Sequence, residues 1–332
     1  MLKKRIIKII TSSGILLKVL NMVASDMPRV FVWHRFAAPM ENRNGRVSAD
    51  LFGWQLDRIR QDFQVLSLGG MLDYYNRHGK WPKRCVVLTI DDGYHDFYQW
   101  AYPELKKRCM KATFFATVNF VEGKIWLWPD RVRWALDTTL MSEVTLMFHD
   151  EMRRFPLNGL HDKDIFWKSC SDHCITLSDD KKEMFIRSME EALQVSCPDI
   201  PTEEYRAVTW DELRELNEDG IEIGSHTMNH PILSKINQSR LVDEIEVSKK
   251  VLEENLNTKI TSFCYPNGRF PDISDEVVRT VRDSGYLGAV MCIYSLEWQI
   301  YKIPRMGVSS DRENFLWKLY GAEKLLHSKR KE

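Results

Sequence analysis

Apolar and polar positions along the chain fall into two alternating rhythms. Residues 30–33 and 85–90 are short apolar runs of the kind a strand buried on both faces requires. Between them, apolar residues at 51, 52, 56, 59 and 63 recur at helical spacing and predict a helix over 51–62. Residues 94–108 are helical in composition, and 112–118 read as a strand again. At residue 126 the rhythm breaks. From there to 204, Pro, Asp, Lys and Met become frequent and only 144–148 reads as a strand, which predicts a mostly helical insertion. The alternation then resumes. Thr209-Trp210-Asp211-Glu212 is a capping box that opens a helix, and Gly220 ends it. Strands are predicted at 221–224, 260–265, 287–293 and 302–308, with helices over 239–255, 273–283 and 313–327. Repeated strand–helix units imply an α/β fold with a parallel sheet, open or closed into a barrel. In such barrels the chemistry gathers where strands end.

The first twenty residues follow neither rhythm. Leu2, Ile6, Ile9, Leu16 and Leu20 repeat at roughly helical spacing, with Lys4, Lys8 and Lys18 on other faces. The uncharged run between Lys8 and Lys18 is far too short to span a bilayer. We read residues 1–25 as a basic amphipathic helix. It either makes weak contact with an anionic membrane surface through residues 1–20 or packs on the domain. Cleavage of a signal near Ser25 is the third reading. The expected organisation is therefore 1–25 as this helix, 26–125 as the first part of the α/β unit, 126–204 as the insertion and 205–332 as the second part.

Composition narrows the function. Lys+Arg and Asp+Glu both number 47 in the 332 residues, so there is no basic excess and no nucleic-acid partner is expected. Seven Cys, an odd number in a long chain, do not form a disulfide framework. They favour a reducing compartment, so a cytoplasmic location, peripheral at the membrane, is expected over secretion. Cys170, His173, Cys174 and Cys197 lack a proper second zinc-binding pair, and ordinary burial is the expectation for them.

Two motifs carry chemistry. Thr89-Ile90-Asp91-Asp92-Gly93 stands where a buried strand ends. Neighbours on a strand face opposite ways, so both carboxylates serve one site only if the chain turns there, and Gly93 allows a turn. Alone, the motif equally fits an Asp-Gly turn with Asp92 capping a helix. The second motif, His226-Thr227-Met228-Asn229-His230, follows another buried strand. On an extended strand the two His would stand roughly 13 Å apart; on a helical turn, roughly 6 Å. Gly224 and Pro231 favour the turn. Taken together, two imidazoles and a carboxylate make a three-ligand metal site with open positions, and the adjacent carboxylate is then free to act as a general base.

These motifs and their surroundings resemble the polysaccharide deacetylases, carbohydrate esterase family 4. That family's Thr-Phe-Asp-Asp-Gly is matched by residues 89–93, and its His-(Ser/Thr)-x-x-His by His226 to His230. Ala112-Thr113-Phe114-Phe115 and Ile223-Gly224-Ser225 also match. The resemblance covers about 85–121 and 204–308. It implies a distorted (β/α) barrel, Asp91 as the base, and Asp92, His226 and His230 as ligands of one divalent metal. Zinc is the leading candidate, with cobalt, nickel, manganese and iron as alternatives.

The chain departs from the family elsewhere. The Arg-x-Pro-Tyr-Gly motif, whose Arg orients the base, reads Cys264-Tyr265-Pro266-Asn267-Gly268 here. The late Leu-x-His motif that supplies an acid has no counterpart around Ile303-Pro304-Arg305-Met306-Gly307. Both changes resemble a branch found with exopolysaccharide and surface-glycan synthesis. That branch carries a Tyr-His-Arg-like sequence on its first strand, here Trp33-His34-Arg35, and often the insertion that opens here with Trp126-Leu127-Trp128-Pro129-Asp130-Arg131. His34 and Arg305 are candidates for acid or orienting roles. Tyr265, Pro266 and Asn267 are candidates for the oxyanion or substrate. The insertion is expected over the open face of the barrel, with Trp126 and Trp128 as candidates to stack on sugar. The implied activity is removal of N-acetyl groups from a polysaccharide, oligosaccharide or lipid-linked sugar. An amidase acting on a small non-sugar amide and a catalytically inactive glycan-binding module that keeps the metal are the alternatives.

Overall fold

The computed structural model describes residues 7–8, 10–23, 27–41, 45–308 and 310–323. Its strands are β1 (Arg29–Trp33), β2 (Arg35–Ala37), β3 (Arg46–Ser48), β4 (Gln64–Leu66), β5 (Cys85–Ile90), β6 (Thr113–Ala116), β7 (Glu143–Phe148), β8 (Glu151–Pro156), β9 (Glu222–Ser225), β10 (Ser262–Cys264), β11 (Gly288–Val290) and β12 (Met306–Gly307). Every residue of β1 and β5 is buried, as their unbroken apolar runs demand. The main sheet runs β11-β10-β9-β6-β5-β1-β12, with β4 against the first half of β5, and all its pairings are parallel. Residues 303–307 join its two edges. Met306 and Gly307 pair with Phe31 and Val32 of β1, and Ile303 bridges Val290 of β11. The expected distorted (β/α) barrel is the fold observed.

Alternation along each strand divides two cores. In β5, Val86, Leu88 and Ile90 face the helices, while Cys85 and Val87 face inward with Val30, Phe115, Cys264, Val290 and Ile303. The inner cluster is plugged at the strands' N-terminal end by Leu68, Met71 and Leu72 of the helix Leu68–His78. That helix has Gly69 and Gly70 in its first turn, which lowers helix propensity and hid it from sequence analysis. A tertiary contact compensates: the Gly69 N–H donates to the half-buried Glu222 carboxylate of β9 at 2.7 Å. Outside the barrel, the helices Ala49–Asp62, Trp210–Glu218, Ser248–Leu256 and Asp275–Asp283 bury Leu56, Leu213, Leu252 and Val281 against the sheet. The capping box at Thr209 forms as expected, its hydroxyl accepting from Glu212 N–H at 3.2 Å and the Glu212 carboxylate from Thr209 N–H at 2.8 Å. The predicted helix over 239–255 is three continuous segments, with a wide π turn at Asp243–Val247. Of the last predicted helix, Arg312–Leu319 is observed, and residues 324–327 lie outside the described residues.

The stretch 126–204 has a hydrophobic core of its own. Trp128, Val132, Leu136, Phe148, Phe166, Ile186 and Met189 meet there. Three helices, Trp128–Thr138, Leu160–Cys174 and Asp179–Ala192, pack on the antiparallel hairpin β7–β8. The second strand, β8, is exposed at nearly every position, so no hydrophobic alternation marks it in the sequence. Trp128 belongs to this core at 9% exposure, which corrects its expected role as a sugar platform. Trp126 is tied down as well: its indole N–H donates to Pro198 O at 2.8 Å, and its ring packs on Trp134 and Tyr205. Cys170 and Cys174 are buried free thiols, and Cys197 is a half-buried one.

At the N-terminus the helix Gly14–Val23 buries Leu17 in the main core, with Ile10 and Leu20 beside it. Ile15, Leu16, Val19 and Met22 remain exposed. Of the stretch 1–25 expected as a basic helix, residues 1–6, 9 and 24–25, with Lys3, Lys4 and Arg5, lie outside the described residues. Among the described residues, no helix is long and apolar enough to cross a membrane.

Candidate active site

The strand register assembles the site. Trp33 lies opposite Ile90 and Ala116 opposite Ser225, while Cys264 is paired with Val290. His34, Asp91, His226 and the 265–268 loop therefore leave the barrel at one rim. Asp91 continues the inward parity of Cys85, Val87 and Thr89. Asp92 would point away, but its backbone takes φ 80°, followed by Gly93 at 106°, and the turn brings both carboxylates to the same mouth. Across the rim, Thr227 and His230 also stand at positive φ, 71° and 57°, so the loop folds back and both imidazoles face Asp92.

Asp92 Oδ1 lies 3.3 Å from His226 Nε2 and 3.4 Å from His230 Nε2. All three side chains are buried. Their ligand-capable atoms lie within 4.8 Å of one another. The donor set suits a divalent metal, and His226 gives a physical test of the fit. Its Nδ1 is 2.8 Å from Cys264 O, a group that only accepts, so Nδ1 carries the proton. A neutral His226 would turn a bare Nε2 lone pair toward a carboxylate oxygen, so the contact calls for positive charge at that spot, which a metal ion between them or a second proton on the ring supplies. The electrostatics show the same demand for positive charge. Burial opposes charge on His226, yet Cys264, Asp92 and Asp91 push its pKa well above the ordinary value. Burial likewise opposes charge on Asp92, yet His226, His230 and His34 hold its carboxyl well below the usual range.

Asp91 is handled differently. Arg305, 1% exposed, grips it bidentately: Nη1 donates to Oδ1 and Nη2 to Oδ2, both at 2.6 Å. Arg305 also donates to Met291 O at 2.7 Å, to Thr89 Oγ1 at 2.9 Å and to Cys264 Sγ at 3.2 Å. Burial alone would raise the Asp91 carboxyl, but the guanidinium overrides it and holds the group below its ordinary range. The guanidinium reaches Cys264, the position where the family's motif carries arginine, from the segment just before β12. A second cluster, Asp91, His226 and Cys264, also brings three ligand atoms together. Arg305 fills it with fixed positive charge, so it does not suit a metal.

His34 Nε2 stands 3.7 Å from Asp91 Oδ2, with the imidazole 43% exposed. Burial works against its charge, but the hydrogen bond to the Cys292 side chain and the charges of Asp92 and Asp91 outweigh it and lift the pKa to about 9. Cys292 had no sequence signal, because nothing along the chain links it to residue 34.

The 265–268 loop divides its expected roles. Tyr265 is 1% exposed and donates its hydroxyl to Tyr301 O at 2.8 Å, so it is a packing residue and not a substrate contact. Pro266 has no N–H to offer an oxyanion. Tyr265 N–H donates to Val290 O and Gly268 N–H to Pro266 O. Asn267, at φ 56°, is left with the loop's unpaired backbone N–H among the described residues.

Around the mouth, the stretch 126–204 meets the barrel at the same rim as His226 and His230. Arg35 donates to Asp96 Oδ2 at 2.6 Å and lies 3.5 Å from Asp130 Oδ1, while Tyr94 OH donates to Asp130 Oδ2 at 2.6 Å. Burial raises the Asp130 carboxyl to about 6. Lys235 Nζ donates to Ile175 O at 2.6 Å from the other side.

Comparisons with known proteins agree with this geometry. The sequence pattern of the family described as polysaccharide deacetylase matches residues 78–162 and 181–288, over half the chain. YxkH of Bacillus subtilis (strain 168), named as a polysaccharide deacetylase, is 23% identical over 204 residues, which are 61% of this chain and 43% of that one. The poly-β-1,6-N-acetyl-D-glucosamine N-deacetylase of Staphylococcus aureus (strain MSSA476) is 37% identical over 87 residues, 26% of this chain and 30% of that one. The chain thus spans less than half the length of these curated relatives. The structure of Streptococcus pyogenes deacetylase PplD in complex with acetate superposes with a TM-score of 0.58 at 19% identity, covering 89% of this chain and 99% of that one, a likeness of fold. The chain belongs to the polysaccharide deacetylase family.

Proposed function

We propose that this protein is a metal-dependent carbohydrate N-deacetylase that hydrolyses an N-acetyl group to acetate and a free amino sugar. The observation that carries the reading is the pairing, at one barrel mouth, of the Asp92–His226–His230 ligand set with an Arg305-clamped Asp91. Asp92, His226 and His230 would hold one divalent metal, zinc first, whose Lewis acidity would acidify water and polarise the acetamide carbonyl. Asp91, kept ionised and oriented by Arg305, takes the proton of the attacking water as its oxygen bonds to the carbonyl carbon. The unpaired N–H of Asn267 is the protein's own donor for the oxyanion. His34, kept protonated at neutral pH, gives its proton to the amine nitrogen as the carbon–nitrogen bond breaks. The missing motif arginine would favour an inactive glycan-binding module, but Arg305 supplies a guanidinium to the same carboxylate. The poly-β-1,6-N-acetylglucosamine in the staphylococcal relative's name is the first substrate to try.

The test separates the two adjacent carboxylates. Acetate release from N-acetylated glycans and metal content by plasma emission are measured on the same variants. Asp92→Ala, His226→Ala and His230→Ala should lose metal. Asp91→Asn should keep it while turnover falls by roughly 100-fold or more, the usual scale for a lost general base. Metal lost from Asp91→Asn and retained by Asp92→Ala would reverse the two roles. No acetate from any N-acetylated glycan, with acetate from a small non-sugar amide, would favour the amidase.

The free cysteines support a reducing, cytoplasmic setting. Exposed Ile15, Leu16, Val19 and Met22, beside Lys8 and Lys18, support weak contact with an anionic membrane surface. Binding to anionic vesicles that rising salt weakens is the expected result, and a mature N-terminus near residue 26 would refute it.

A further inference from the structure

The loop carrying the two histidines is bent against its own preferences. Thr227 is β-branched yet sits at φ 71°, a region such residues rarely enter. Backbone of this kind persists only where the surroundings over-determine it. On the barrel side, Val118 N–H donates to Thr227 O at 3.1 Å, Asn119 N–H to Met228 O at 2.9 Å and Asn119 Nδ2 to Asn229 Oδ1 at 2.7 Å. On the other side, the bonds end on one carboxylate. Glu244, 1% exposed, accepts the N–H groups of Met228 and Asn229 at Oε2, at 3.0 and 2.8 Å, and Asn229 Nδ2 at Oε1, at 2.8 Å.

From Glu244 a chain of charges runs into the insertion. Arg240 Nε lies 3.8 Å from Glu244 Oε1, and Arg240 Nη2 donates to Asp179 Oδ2 at 2.6 Å. Asp179 Oδ1 accepts from Lys182 Nζ, itself buried, at 2.7 Å. Asp179 and Lys182 open the insertion's last helix. Lys235, between the histidines and Arg240 in sequence, donates to Ile175 O at 2.6 Å. Ile175 ends the helix Leu160–Cys174, where partial negative charge favours a cation. The insertion thus grips the segment that follows His230 at two points.

We infer that Glu244 is a positioning residue of the metal-holding loop and that the insertion is its buttress. Asp179 fixes Arg240, Arg240 fixes Glu244, and Glu244 holds the backbone of Met228 and Asn229 so that His226 and His230 converge on Asp92. The inference rests on the proposed metal centre and gives the insertion a task that its tied-down tryptophans do not. A carboxylate is needed because both of its oxygens face N–H donors. An amide would turn its own NH2 against one of them.

Zinc affinity of the full chain, stripped and then titrated in competition with a chelator, is the measurement. Thermal unfolding of the metal-free protein is recorded beside it. Glu244→Gln should weaken zinc roughly 10- to 100-fold, the scale for partners that orient metal ligands. Arg240→Ala and Asp179→Asn should weaken it in the same direction and by less, and they carry the test if Glu244→Gln does not fold. A Glu244→Gln protein that melts lower but binds zinc as tightly as the parent would overturn the inference. Asp179→Asn with the parent's affinity would remove the insertion from it. A parent chain that binds no divalent metal would instead refute the metal centre itself.

Discussion

Arg305→Met is the most demanding test of the electrostatics at the barrel mouth. Methionine keeps an unbranched, flexible side chain, shorter than arginine's and without its charge or donors. The substitution leaves the Asp91 carboxylate, 2% exposed, without its bidentate partner. Breaking a buried pair by removing one member costs about 3–5 kcal/mol, because the remaining charge stays desolvated. Orphaning Met291 O adds about 1 kcal/mol. Against a total stability of about 5–15 kcal/mol for an ordinary domain, the metal-free variant should be marginal near pH 7. The pH dependence identifies the cause. Arg305 holds the Asp91 carboxyl below its ordinary value, so the stability it contributes is present above the unfolded pKa and lost as pH falls through the lowered one. In the variant, burial lifts the carboxyl instead, and its penalty fades as acid protonates it. The stability gap between parent and variant should therefore be widest near neutrality and narrow toward about pH 4. Urea unfolding of the metal-free proteins from pH 4 to pH 8, followed by circular dichroism, measures it. Arg305→Lys, which keeps the charge but not the fork, should fall between. A gap that does not change with pH, or a variant with the parent's midpoint, would refute the reasoning.

Three further outcomes are expected. If His34 delivers the proton, turnover of the parent should decline as pH rises through about 9, and His34→Gln should lose that alkaline limb along with roughly 100-fold of rate; a variant that keeps the limb assigns it to another group. Gly224→Ala would place a Cβ 2.4 Å from Cε1 of the Phe115 ring inside the barrel, so overpacking should cost about 1–3 kcal/mol in denaturant unfolding, and Phe115→Leu should restore part of it. Thr209→Ala should cost about 1 kcal/mol by removing one half of the capping box, with metal affinity unchanged.

The sequence by itself determined the scaffold and the two rim motifs. Buried parallel strands are unbroken apolar runs, so β1 and β5 were visible, and the βα alternation fixed the class. The Thr209 capping box was legible because its bonds join residues three apart. Asp91, Asp92, His226 and His230 were legible because each pair is local and stands where a strand ends. Tertiary structure decided everything that long-range contact creates. The helix Leu68–His78 is capped locally by Ser67, but the acceptor for its Gly69 N–H is Glu222, 153 residues away. The strand β8 is too exposed to leave a hydrophobic pattern. The clamp on Asp91 comes from Arg305, 214 residues away. At the Cys264 position the sequence showed that an arginine was missing and offered Arg305, along with His34, as a candidate for an acid or orienting role. A guanidinium can reach a carboxylate from any neighbouring strand, so only the barrel's closure through residues 303–307 could show which arginine takes that place.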